Sequence, residues 1–164
     1  MEKKKLFLAI AVFWVVILFG FIAFKEFTLQ TGEEVILKTR PIDPRDLFRG
    51  DYVILNYVIG GVDVSDFEEG DTVYVGLKVD ENGYGESTGV YKSPPEGLFI
   101  KGTVKKGLFG GSNIEYGIES YFVPEGEGKS IERNRNLEGK VVIDKSGNAV
   151  LKAVLIDGKE VTFD

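Results

Sequence analysis

With 164 residues, a formal net charge of −6 and neither cysteine nor histidine, the chain has room for one domain of ordinary size and none of the residues that build disulfides, thiolate nucleophiles or zinc centres. The first 24 residues carry +2, from Lys3, Lys4 and Lys5 against Glu2, which leaves −8 for the rest and argues against a nucleic-acid partner, whose phosphates demand the opposite field. Asp, Glu, Lys, Tyr, Ser and Thr remain as candidate chemistry, and neither a cofactor nor a metal is expected.

Residues 6–24, LFLAIAVFWVVILFGFIAF, hold no charged or strongly polar side chain. As a helix this run reaches roughly 28 Å, close to the roughly 30 Å hydrocarbon thickness of a bilayer. It is longer than the apolar part of a signal peptide and ends without a small-x-small cleavage pair, and a buried soluble helix would show a polar stripe. It therefore reads as a retained signal-anchor in contact with the lipid bilayer. Three lysines before the run, against Lys25 beside Glu26 after it, place the amino terminus in the cytoplasm and the remainder outside. The expected organisation is a cytoplasmic basic flank over 1–5, a transmembrane anchor over 6–24, a polar linker over 25–32 and an extracytoplasmic domain over 33–164.

Past residue 24 the chain contains 20 glycines but only two alanines, Ala149 and Ala153, a composition of strands and turns rather than helices. Period-two apolar patterning predicts strands over 34–40, 51–59, 72–79, 98–105, 113–123, 140–144, 149–156 and 160–163. Between the first two lies PIDPRDLFRG, 41–50, where Asp43 can cap a helical turn, Pro44 suits its first position and Gly50 its exit. Its charges Asp43, Arg45, Asp46, Arg49 and Asp51 fit two uses, a fixed structural corner or a polar recognition surface near the membrane.

In the strand that follows, Val53, Leu55 and Tyr57 share the face expected to be buried, and Val73, Val75, Phe99 and Phe122 join them in the predicted core. Residues 80–86, DENGYGE, imitate the start of a calcium loop, but Tyr91 stands where its closing glutamate belongs, so they read as a hairpin tip. Tyr116, Glu119, Tyr121 and Glu125 either cover a sheet face or form a recognition surface, since tyrosine serves both purposes. A short helix is expected over 130–136. Turn signals at 146–148 and 157–158 make the carboxyl-terminal part a three-stranded meander. No internal repeat is apparent. The fold class is mainly β: one transmembrane helix, then a single antiparallel barrel or sandwich with at most one or two short helices.

Gly50, Asp51, Tyr52, Leu55 and Tyr57, as GDYVILNY, resemble the signature of the GDYXXLXY family, and the preceding DPRDLFR and the later YGIESYFVPEGEG are similar to the same family. The resemblance implies a membrane-anchored protein, supplies no catalytic residue, and suggests a multi-spanning membrane protein as a partner, because such proteins are often encoded beside family members. A second resemblance is to the membrane-anchored signal peptidases. PIDPRDLFRGD is similar in outline to their SMxPTLxxGD segment, and LFIKGTV, 98–104, to the strand that carries their general base, which would be Lys101. The position of their nucleophilic serine is here Pro41, so the Ser–Lys reaction lacks its hydroxyl. The expected function is that of an accessory or binding protein presenting its β domain to a membrane or envelope partner, with a catalytically dead or divergent signal-peptidase-like domain as the alternative.

Overall fold

The computed structural model describes residues 2–40, 52–106, 112–124, 131 and 136–163; residues 41–51, where the charged turn was expected, residues 125–130 with Glu125, and nearly all of the expected helix 130–136 lie outside them. The chain begins with α1, Glu2–Thr31, a 30-residue helix about 45 Å long at 1.5 Å per residue. Its large apolar side chains between Leu6 and Ile22 are 45–75% exposed. None of them is buried among the described residues, and the helix is long and apolar enough to cross a membrane.

The helix runs on through 25–31, where the sequence suggested a polar connection. Lys25, Glu26 and Gln30 are good helix formers, and Gln30 Nε2 donates to Glu26 Oε1 one turn back, at 2.9 Å. Gly32 closes the helix by donating its N–H to the Thr28 carbonyl at 2.9 Å. A Cβ at Gly32 would stand 2.5 Å from Val142 Cγ1 and 2.7 Å from the Ile143 carbonyl oxygen, so only glycine lets the helix end lie this close to the sheet.

Eleven strands follow among the described residues. One sheet runs β11-β10-β9-β1-β3, a second β5-β4-β6-β7, and β2 and β8 form a two-stranded ribbon. The strands are β1 (Glu33–Arg40), β2 (Tyr52–Ile54), β3 (Asn56–Tyr57), β4 (Thr72–Val79), β5 (Gly85–Tyr91), β6 (Phe99–Lys106), β7 (Ser112–Glu115), β8 (Ser120–Phe122), β9 (Leu137–Ile143), β10 (Ala149–Ile156) and β11 (Lys159–Glu160). All named pairings are antiparallel. Both larger sheets and the ribbon feed one core, which includes Val35, Leu37, Val53, Leu55, Tyr57, Val73, Val75, Ile100, Val141 and Ile143.

Phe122 is a correction: it was expected in that core and is 79% exposed. Ile114, Tyr116 and Ile118 are buried, and beyond them Val123 is buried with Tyr121 packed against the core. The inward parity changes between Ile118 and Tyr121, after the bend at Gly117 with φ +78°. A one-residue shift turns every later side chain over.

The structure contains a repeat that the sequence hides. Hairpins β4–β5 and β9–β10 coincide at an offset of 64 residues: Val79↔Gly85 matches Ile143↔Ala149, Leu77↔Ser87 matches Val141↔Leu151, and Val75↔Val90 matches Gly139↔Val154. The register shifts coincide too, each leaving one extra residue on the second strand, Thr88 and Lys152. In both turns the first aspartate accepts two backbone N–H bonds on Oδ1: Asp80 from Asn82 and Tyr84 at 2.9 and 2.8 Å, Asp144 from Ser146 and Asn148 at 2.8 and 2.9 Å.

Each turn tip is also pinned to a strand of the other sheet. The Gly83 carbonyl accepts the Ile36 N–H of β1 at 2.8 Å, and the Gly147 carbonyl accepts the Lys101 N–H of β6 at 2.8 Å. Since β1 pairs with β9 and β6 with β4, the two hairpins lock the sheets to each other reciprocally.

On the outer surface Glu34 binds Lys140 at 2.8 Å and Lys152 at 2.6 Å, and Lys140 also binds Glu160 at 2.9 Å. The hydrogen bonds from Lys140 and Lys152 hold the Glu34 carboxyl below its ordinary range. A lowered carboxyl stabilises the fold above its unfolded pKa and loses that effect as pH falls through the folded value. Because the groups are largely exposed, Glu34→Gln is expected to cost under about 1 kcal/mol in a denaturation midpoint, and the loss should shrink in high salt.

Candidate functional site: the signature strand and the segment latched to it

Residues 52–57 bring β2 and β3 through the middle of the molecule, and their alternation decides what each side chain does. Val53, Leu55 and Tyr57 are 0%, 0% and 2% exposed, whereas Asn56 faces solvent. β2 pairs with β8 in the register Tyr52↔Phe122, Val53↔Tyr121 and Ile54↔Ser120. The Leu55 N–H extends that pairing by donating to the Glu119 carbonyl at 2.7 Å.

Two tyrosines then cross between the segments in opposite directions. Tyr57 donates its hydroxyl to the Ile118 carbonyl at 3.0 Å, and Tyr116 donates its own to the Ile59 carbonyl at 2.9 Å. Both acceptors belong to irregular backbone, the bend before β8 and the 3-10 turn Val58–Gly60, where a buried carbonyl has no ladder partner and must find another donor. Burial, and then the nearby Glu119 charge, push both phenols far above their ordinary pKa. They stay protonated and act as donors at any physiological pH.

Glu119 also accepts the backbone N–H of Tyr116, closing the bend from inside. Tyr57 is backed by Gly139 of β9, where a Cβ would stand 2.6 Å from the phenolic oxygen. The arrangement is a latch: the signature strand and segment 116–122 are held by pairing, by two reciprocal hydroxyls and by a carboxylate.

The structure distributes the other expected site residues differently. Tyr116 is 8% exposed, Glu119 is half-buried at the bend, and Tyr121 is half-buried with its ring stacked on Phe163 at 6.5 Å. Beside them Phe122 projects outward from β8, a residue whose exposure the sequence reading missed; the parity change after Gly117 is the signal that would have found it. Phe122 thus exposes an aromatic ring on the outer side of β8, while the Glu119 carboxylate is turned to the bend that it closes. Asp43, Arg45, Asp46, Arg49, Gly50, Asp51 and Glu125 lie outside the described residues.

Lys101 lies on the outer face of β6 and is exposed. It lines an open depression of about 300 Å³ with Gly102, Thr103, Glu115, Tyr116, Gly117 and Asn148. Serine–lysine chemistry needs a desolvated amine beside its hydroxyl, and an exposed lysine gives that chemistry no support. The Glu115 carboxylate is engaged by Lys105 at 3.4 Å. In the turn that imitates a calcium loop, Asp80 spends one carboxylate oxygen on its own backbone, and no group of three or more acidic, histidine or cysteine side chains suited to a metal is found among the described residues.

A family model described as GDYXXLXY protein matches residues 14–154. No curated protein and no solved structure matches the chain.

Proposed function

The chain belongs to the GDYXXLXY family, and from that premise we propose that it is a single-pass membrane protein whose β domain stands outside the cytoplasm and binds a membrane or envelope partner. The observation that carries this reading is α1: its exposed apolar surface needs lipid, and its carboxyl-terminal end passes directly into β1. The lysines at positions 3–5 favour a cytoplasmic amino terminus. Fold gives no activity by itself; the binding role is supported by the exposed ring of Phe122 on β8, whose strand also carries the half-buried Tyr121, with the charged segment 43–51 as a second candidate contact. A multi-spanning membrane protein is the partner class this position favours.

A photo-crosslinking amino acid at position 122, in intact cells, tests it. The expected result is one discrete adduct with a membrane or envelope protein, weakened by Tyr121→Ala and unchanged by Lys101→Ala. Protease added outside the cells should trim the β domain. Absence of any adduct at position 122, or protection of the domain in whole cells with digestion only after lysis, contradicts the proposal.

A further inference from the structure

The twin hairpins provide an internal comparison, because turn 144–148 is hydrogen-bonded to the helix end and turn 80–84 to β1. Thr28 Oγ1 donates to Asp144 Oδ2 at 3.3 Å, and Thr28 is 0% exposed, so turn 144–148 is fastened to α1 four residues beyond the apolar run. Four residues of helix are about 6 Å, and the headgroup layer outside the hydrocarbon is about 5–7 Å thick on each side. Turn 144–148 therefore stands at headgroup level when α1 spans a bilayer. Turn 80–84 is pinned instead to Ile36, four residues along β1 from Gly32 and roughly 13 Å farther on.

The two turns share register and hydrogen bonds but differ in charge at their equivalent second position. The turn beside the helix carries Lys145 and its counterpart carries Glu81, both exposed. Lys145 is thus a cation in a region of chain that carries −8 beyond residue 24, placed where phosphates would lie, with Lys25 on the adjoining stretch of helix.

We propose that turn 144–148 is a membrane-contacting element that binds the phosphates of anionic lipid headgroups through Lys145 and so fixes how the β domain stands on the bilayer. This rests on the reading of α1 as a membrane anchor. A lysine at such a surface favours contact about fivefold, and a glutamate in its place opposes it. The helix supplies the position, the Asp144 hydrogen bonds hold the turn rigid, and the lysine supplies the attraction.

The absence of cysteine makes the test clean. Full-length protein carrying Ser146→Cys or Asn82→Cys, each labelled with a fluorophore, is reconstituted into vesicles of phosphatidylcholine alone or mixed with phosphatidylglycerol, with a quencher on the lipid headgroups. The label at position 146 should be quenched, more strongly with the anionic lipid, and the label at position 82 should not. Lys145→Glu should abolish the anionic enhancement, roughly fivefold for one lysine, while Glu81→Lys leaves the label at 146 unchanged. Protein that floats with the vesicles but shows equal quenching at 146 and 82, or no effect of Lys145→Glu, overturns the headgroup contact and leaves the anchor standing. Protein that fails to float with the vesicles overturns the anchor and this inference together.

Discussion

Tyr57→Ala is expected to destabilise the β domain by about 3–5 kcal/mol, a large part of the roughly 5–15 kcal/mol that holds an ordinary domain together. The ring is 2% exposed at the point where β1, β3, β9 and the bend before β8 meet, so its removal leaves a cavity and also strips the Ile118 carbonyl of its donor. Tyr57→Phe separates the two effects. It keeps the packing, leaves the carbonyl unsatisfied, and should cost about 1–3 kcal/mol. Gly139→Ala approaches the same place from the other side: its new methyl would stand 2.6 Å from the phenolic oxygen, and a loss of about 1–3 kcal/mol is expected from overpacking. Equilibrium unfolding followed by far-ultraviolet circular dichroism, in detergent with the full chain, measures all three. A Tyr57→Ala protein as stable as the parent would show that the latch is not what holds segment 116–122.

Asp144→Ala should have the second largest effect, and it should be felt in two places. The carboxylate accepts bonds from Ser146 N, Asn148 N, Asn148 Nδ2 and Thr28 Oγ1, and charged hydrogen bonds are worth about 1.5–3 kcal/mol each before partial replacement by water. A net loss of about 2–4 kcal/mol is expected on that basis, with faster hydrogen exchange over residues 28–36, where the helix end meets the sheet. Asp80→Ala is the control. It removes the equivalent turn bonds but none of the bonds that join Asp144 to α1, so it should loosen hairpin β4–β5 and the Ile36 N–H that the Gly83 carbonyl accepts, and leave exchange at 28–34 unchanged.

Acid should imitate the Asp144 substitution. Burial alone would raise this carboxyl, but the hydrogen bonds from Asn148, Ser146 and Thr28 outweigh that and hold it below the ordinary aspartate value. Its contribution is therefore complete above the unfolded pKa of about 3.9 and disappears as pH falls through the lower folded value. The parent should lose protection at 28–36 only in that acidic window, and Asp144→Asn, which keeps an oxygen acceptor, should flatten the dependence.

Much of the fold was legible because strands that bury one face alternate. β4 and β10 have the bounds their period-two patterns predict, and Val53, Leu55 and Tyr57 are buried together as their spacing requires. β5 was not legible: GESTGVY has little apolar alternation, and it is a strand because β4 pairs with it along its length. The repeat was hidden for a related reason. Across 73–91 and 137–155 only Asp80/Asp144, Gly83/Gly147 and Val90/Val154 are identical, since hydrogen bonding and turn geometry constrain few side chains. The helix extension past residue 24 escaped notice because polar helix formers and a polar linker look alike until packing decides between them.

At the candidate site the sequence announced the signature residues without their purpose. Leu55, Tyr57, Tyr116 and Glu119 lie 60 residues apart in two groups, and nothing local reveals that each group supplies the hydrogen-bond donors the other needs. The similarity of both groups to one family acquires a physical reason in the latch, because neither segment keeps its backbone satisfied without its counterpart. Phe122 was read inward for want of the parity change at Gly117, and its outward position is what makes that edge a candidate contact surface.

The central claim is that an intact apolar helix holds this β domain at a membrane. The most direct test is the intact mass of the protein recovered from washed, carbonate-extracted membranes. The account predicts a membrane-bound polypeptide that still contains residues 6–24. A mature polypeptide released into solution and beginning after residue 24 would contradict it.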